Sequence, residues 1–99
     1  IQIKENDWII MDIAFSSSFK RAFKKRIKNK KEIEELFWES IALFIQDPFH
    51  PLLKTHKLSG NLKNLWSFSV TYDVRVIFFF EDNNKKAIFI DIGSHDEVY

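Results

Sequence analysis

The sequence predicts an α+β fold, with a short strand and a helical hairpin packed on a C-terminal antiparallel sheet. Three observations predict it. Apolar residues recur at spacings of three and four between Phe15 and Ile45, which is the mark of helices with one inward stripe. Apolar and polar residues then alternate in three runs between Leu65 and Ile92, which is the mark of strands. The helical runs precede the strand runs rather than interleaving with them, and that order argues for α+β rather than for a parallel α/β sheet.

Residues 11–15 (MDIAF) alternate and read as the first strand, with Met11, Ile13 and Phe15 on one side. Ser16, Ser17 and Ser18 supply a helix N-cap, because a serine hydroxyl accepts a bond from a free first-turn N–H. A helix follows over about 17–28, with Phe19, Ala22, Phe23 and Ile27 inward and Lys20, Arg21, Lys24, Lys25 and Lys28 outward. Asn29 ends it, since asparagine tolerates the left-handed position after a helix. The second helix spans about 30–46, with an inner stripe of Ile33, Leu36, Phe37, Ser40, Ile41, Phe44 and Ile45. Glu32, Glu34 and Glu35 suit the positive end of its dipole. Asp47-Pro48 stops it, because the residue before proline is pushed out of the α region.

A loop with two prolines (47–55) leads to a brief edge strand at His56–Leu58 and a turn at Ser59-Gly60-Asn61. The run 65–72 (LWSFSVTY) places Trp66, Phe68, Val70 and Tyr72 on one face and Ser67, Ser69 and Thr71 on the other. Asp73 reverses the chain into 74–80 (VRVIFFF), where Arg75, Ile77 and Phe79 oppose Val74, Val76, Phe78 and Phe80. Asp82-Asn83-Asn84 signals a hairpin. The last strand, 86–92 (KAIFIDI), sets Ile88, Ile90 and Ile92 against Ala87, Phe89 and Asp91, and SHDEVY then trails across the end of the sheet. The expected organisation is one domain over 11–99, with residues 1–10 as an N-terminal extension.

Composition narrows the function classes. The chain has 99 residues, with 11 Phe, 3 Trp and 2 Tyr, so a short chain has large rings with which to bury area. No cysteine is present, which excludes disulfides and thiolate metal sites and fits a reducing cytosol. No apolar run reaches the roughly 18 residues that span a bilayer, and no secretory signal is visible. Net charge is only +1, yet residues 20–31 carry eight Lys or Arg and no acid. Such a run follows a phosphate backbone, contacts an acidic partner or is simply a solvated face.

Five polar residues fall outside what folding requires: His56, Asp73, Arg75, His95 and Tyr99. An imidazole both accepts and donates a proton near neutral pH. Two imidazoles with a carboxylate and a guanidinium match the needs of a 2′-OH attacking its neighbouring phosphate: a base, an acid and a cation for the developing charge. Arg75 equally fits a plain ion pair with Asp73 or Asp91, and either histidine fits a surface spectator, as His50 does in the proline loop. Lys54, Lys57 and Lys63 surround the sheet entrance and suit phosphate contacts. Tyr99 offers a ring on which a base stacks. His50, His56 and His95 lack zinc-ligand spacing.

The strand–helix–helix–meander order, the segment THKLSGNLKNLWSFSVTYDVRVIF and the ending DIGSHDEVY resemble the RelE/ParE superfamily of bacterial type II toxins. The similarity is greatest to the YafQ-type and RelE-type mRNA interferases and covers about residues 11–99. The resemblance implies a RelE-like fold and ribosome-dependent cleavage of mRNA, with no metal or other cofactor. It also implies a cytoplasmic toxin silenced by a co-expressed antitoxin, in a hetero-oligomeric complex that binds operator DNA through the antitoxin. On the YafQ-type pattern, His56 matches the histidine before the L-S-G turn and Asp73 the acid before the RelE-like strand. Arg75 matches the arginine of that strand, His95 the histidine after the final glycine, and Tyr99 the closing aromatic. One position departs: a further histidine of the pattern falls at Ser69. ParE-like members share the fold, lack the RNase residues and inhibit DNA gyrase, which is the alternative function. An apolar groove beside the helical hairpin is the expected seat of an amphipathic, acidic antitoxin segment.

Overall fold

The computed structural model of the chain describes residues 11–62 and 64–99. The expectations placed on residues 1–10 and on Lys63 lie outside the described residues. Strand β1 (Asp12–Phe15) leads into helix α1 (Ser17–Arg26) and helix α2 (Lys31–Gln46). Strands β2 (His56–Lys57), β3 (Trp66–Ser69), β4 (Val74–Glu81) and β5 (Lys86–Ser94) follow, and helix α3 (His95–Val98) closes the chain. The architecture is the predicted α+β one.

The local signals act as expected at the helix ends. Ser16 Oγ accepts from the Phe19 N–H at 3.1 Å and caps α1. Asn29 takes a φ of 79° and turns the chain toward α2. The N–H of Asp47 bonds Leu43 O, so α2 ends where Pro48 requires it.

The sheet order is β1-β5-β4-β3-β2. β1 lies parallel to β5, and the other pairs are antiparallel. Both helices cover one face. There Phe19, Phe37, Phe44, Phe68, Phe78, Phe89, Val76 and Ile92 are fully or almost fully buried. Phe44 sits at the centre, with ring centroids 5.0–5.4 Å from Phe68, Phe78 and Phe89. Burying each such ring stabilises the fold by about 1.5–3 kcal/mol.

Two strand expectations need correction. β3 ends at Ser69, not Tyr72. Thr71 Oγ1 accepts from the N–H groups of Asp73 and Val74, at 3.2 and 3.0 Å, and this local bonding draws residues 70–73 into the reversal. Tyr72 therefore stands at the tip, 92% exposed, instead of facing the core. In β5, Ile77 pairs with Asp91 but Phe78 pairs with Phe89, so Ile90 is an extra residue opposite no partner. The expected grouping of Ile88, Ile90 and Ile92 on one face therefore fails: Ile92 joins Ala87 and Phe89 on the core face of β5.

β1 ends level with Phe89, which leaves the edge of β5 open beyond that point. The start of the chain closes it. Ser16 N–H bonds Phe89 O at 3.0 Å, Ser18 Oγ bonds Ile90 O at 2.7 Å and Arg26 Nη1 bonds Ile92 O at 3.1 Å. These bonds satisfy carbonyls that a further strand would otherwise take.

Candidate active site

The face of the sheet turned away from α1 and α2 gathers polar side chains beside Ile77 and Phe79. The ladder register defines it: His56 lies opposite Ser67, Ser67 opposite Ile77, Ser69 opposite Arg75, and Arg75 opposite Gly93. Side chains directly opposite share a face, so His56, Ser67, Ser69, Arg75 and Ile77 form one continuous patch. α3 leaves the end of β5 beside this patch.

Of the last six residues, expected to trail across the sheet, His95–Val98 instead wind into the short helix α3. Ser94 Oγ accepts from the Glu97 N–H at 3.3 Å, and Glu97 Oε1 accepts from the Ser94 N–H at 2.7 Å. This reciprocal capping box starts the helix. The Ser94 backbone bond above all holds the Glu97 carboxyl below its usual range; burial opposes it, and the Ser94 hydroxyl and the charges of Arg26 and Lys30 add to the lowering. The turn places His95 and Tyr99 together, with ring centroids 4.5 Å apart in an edge-on arrangement. The Tyr99 hydroxyl donates to Ser67 Oγ on β3. Ser67 is fully buried, so this bond both satisfies its hydroxyl and fixes Tyr99 across the sheet.

Arg75 is half-buried, and its Nη1 donates to Thr71 O at 3.0 Å and Tyr72 O at 2.7 Å. A guanidinium has five N–H donors, so the remainder of the fork stays available for an anion. The expected ion-pair alternative does not form: among the described residues Arg75 makes no salt bridge, and Asp91 pairs with Arg26 at 3.0 Å. Asp73 is exposed in the same reversal, next to Val74, whose ladder partner is Ser94. That register puts Asp73 and His95 at the same end of neighbouring strands. His95 Nδ1 lies 3.7 Å from Asp96 Oδ1.

His56 Nδ1 lies 3.0 Å from Lys54 O. A carbonyl only accepts, so Nδ1 carries the proton and the neutral ring keeps its lone pair on Nε2. Lys54 adopts a left-handed φ of 52° and is exposed beside His56, whereas Lys57, also exposed, lies opposite Trp66 and so on the other face of β2 from His56. His50 caps the turn at Pro51–Leu53 by accepting from Leu52 N–H at 3.1 Å, a structural use. Among the described residues no group of His, Asp or Glu gathers as metal ligands.

Ser67, Arg26, Gly93 and Glu97 belong to this region and were not candidates from the sequence. The S-x-x-E spacing of Ser94 and Glu97 was the available signal for the last of them.

A five-stranded sheet with both long helices on one face is the fold this chain shares with RelE-like bacterial toxins. The family model for the bacterial toxin of type II toxin–antitoxin systems, YafQ, matches residues 11–99, and the chain belongs to that family. Solved structures share the fold. The YoeB/ParE toxin from Agrobacterium tumefaciens superposes with a TM-score of 0.72 at 19% identity, covering 86% of this chain and 99% of that one. YafQ from Escherichia coli strain BL21(DE3) gives 0.64 at 21% identity, over 90% and 98% of the two chains. The RelBE2 toxin–antitoxin complex from Mycobacterium tuberculosis gives 0.70 at 10% identity, over 89% and 94%. No curated protein matches the sequence. Among the described residues no helix is long and apolar enough to cross a membrane.

Proposed function

We propose that the chain is a ribosome-dependent mRNA endoribonuclease that cleaves through the 2′-OH without a metal. The observation that carries this reading is the polar face itself. On an otherwise apolar sheet, the register gathers His56, Ser67, Ser69 and Arg75, with His95 and Tyr99 held beside them by α3.

In this mechanism His95 and Asp73 are the acid–base pair. One removes the 2′ proton as the oxygen attacks phosphorus; the other gives a proton to the departing 5′ oxygen. The products are a 2′,3′-cyclic phosphate and a 5′-OH. Arg75 stabilises the charge that grows on the non-bridging oxygens through the donors not engaged by Thr71 and Tyr72. His56, with its Nε2 lone pair outward, shares the proton transfer or positions the RNA. Tyr99 orients a base by stacking, and Lys54, Lys57 and Lys63 hold backbone phosphates. Ser69 supplies no acid–base group at neutral pH, so the work falls on the two imidazoles and the carboxylate.

Primer extension on an mRNA translated in vitro tests the proposal. Codon-phased cuts that require the ribosome and vanish with His95→Ala are expected. Intact mRNA together with gyrase-dependent DNA breaks would reverse it in favour of inhibitory binding.

The partner reading follows the same logic. An apolar groove of about 230 Å³ runs between α1 and α2, lined by Phe15, Phe19, Phe23, Phe37 and Trp38. Lys20, Lys24 and Lys28 rim it at successive turns of the chain. Apolar rings bordered by three cations fit an amphipathic antitoxin segment with acidic residues at matching spacing. The RelBE2 structure is itself a toxin–antitoxin complex, which supports a partner of that kind here. Co-purification with the protein of the neighbouring gene is expected, and Trp38→Asp should weaken it.

A further inference from the structure

α3 is only four residues long. A helix of that length does not form by itself, because nucleation fixes several dihedrals for one hydrogen bond. Something else must hold His95 and Tyr99 in place. One anchor is the Tyr99 hydroxyl on Ser67. A second comes from an unexpected quarter, the basic run 20–31 that begins on α1. Of its eight Lys and Arg, seven are exposed and Arg26 alone is half-buried.

Arg26 reaches over the open edge of β5. Its Nη1 donates to Asp91 Oδ1 at 3.0 Å and to Ile92 O at 3.1 Å, and its Nε lies 4.0 Å from Glu97 Oε2. The same Glu97 carboxylate, through Oε1, closes the capping box. Gly93 makes room for this meeting. A Cβ there would stand 2.7 Å from Glu97 Oε1, 2.9 Å from Arg26 Nη1 and 3.0 Å from Arg26 Cδ. The φ of Gly93 is not left-handed, so the need for glycine at this point is one of space.

We infer that Arg26, with Glu97 and the gap left by Gly93, positions His95 and Tyr99 for the reaction. This inference rests on the ribonuclease reading. Arg26 touches neither ring, so it is a positioning residue. It ties the C-terminal turn of α1 to both ends of the segment from Asp91 to Glu97, and the carboxylate it approaches starts the turn that carries His95. Lysine at this position keeps the charge but lacks the planar fork, so it cannot serve Asp91, Ile92 O and Glu97 together.

NMR of the isolated full chain tests the geometry apart from any activity. The edge-on contact between the two rings gives the His95 ring protons a ring-current shift, and the Tyr99 N–H to His95 O bond gives that amide protection from exchange. In Arg26→Ala both signatures should collapse toward random-coil values while β4 and β5 amides keep their protection. Gly93→Ala should reproduce this by steric displacement, and Arg26→Lys should fall between. In the translation assay the single-turnover cleavage rate should drop by about 10²-fold in Arg26→Ala, with the half-saturating ribosome concentration little changed. Unaltered His95 and Tyr99 signals in both variants would overturn the inference. So would loss of protection throughout β4 and β5, which would make Arg26 a general stabiliser, or undiminished cleavage despite a released α3. Absence of cleavage by the unaltered chain would sink the ribonuclease reading alone, since the NMR signatures still decide whether Arg26 sets the α3 geometry.

Discussion

The two faces of the sheet are held by different means. The helix side is closed by area: a cluster of buried phenylalanines around Phe44, each touching several others. The polar side is held by a few directed bonds: Tyr99 to Ser67, Arg75 to the carbonyls of Thr71 and Tyr72, and Arg26 to Asp91 and Ile92. Area is tolerant of small shifts and contributes most of the stability. Directed bonds contribute less stability but fix where individual atoms stand. A site that must hold two rings and a guanidinium in register belongs on the second kind of surface, supported by the first.

The sharpest way to break this contrast is Phe44→Ala. It should lower the free energy of unfolding by about 3–5 kcal/mol, measured by denaturant titration, and take both faces down together. Arg75→Ala attacks the other side. Cleavage should fall by about 10²–10³-fold, and unfolding should shift by no more than about 1–3 kcal/mol for the lost loop bonds. Tyr99→Phe is subtler, because it leaves the buried Ser67 hydroxyl without its described partner. We expect a loss of about 1 kcal/mol and faster amide exchange confined to residues 95–99. If Phe44→Ala spared the helix side, or Tyr99→Phe unfolded it, the division of labour between the faces would be wrong.

Acid provides the smallest perturbation. The Glu97 carboxyl is held below its ordinary value of 4.5 in the folded chain. A lowered folded value means the stabilisation is present above 4.5 and is lost as pH falls through the lowered value. Glu97 is nearly half exposed, so solvent screens the effect. Chemical shifts of α3 should therefore drift in acid below pH 4.5 while the buried phenylalanine resonances stay fixed.

Much of the helix side was legible because it is periodic. The stripe through Phe37, Ile41 and Phe44 and the alternation of Val74, Val76 and Phe78 both announce which residues go inward. What alternation cannot announce is an added residue, and Ile90 disturbed the reading of β5 for that reason. Nor does it reveal that β1 lies beside β5, since that pairing joins residues more than seventy positions apart. On the polar side, His56, Asp73, Arg75, His95 and Tyr99 stood out as residues without a packing reason. Their supports did not. Ser67 looked like any outward serine of a strand, and Arg26 was hidden among seven other cations.

The extra residue at Ile90 has a further meaning. A strand has a phase, set by which side its odd positions take, and this one changes phase midway. Before the change, Phe89 points to the helices; after it, Ile92 does, and Gly93 is delivered beside Arg75. Were Ile90 instead drawn into regular pairing, the downstream half would invert: Asp91 and Gly93 would turn to the core, Ile92 to the cleft, and the turn bearing His95 would start from the wrong side. A single inserted residue thus decides which surface of the sheet is left free for chemistry.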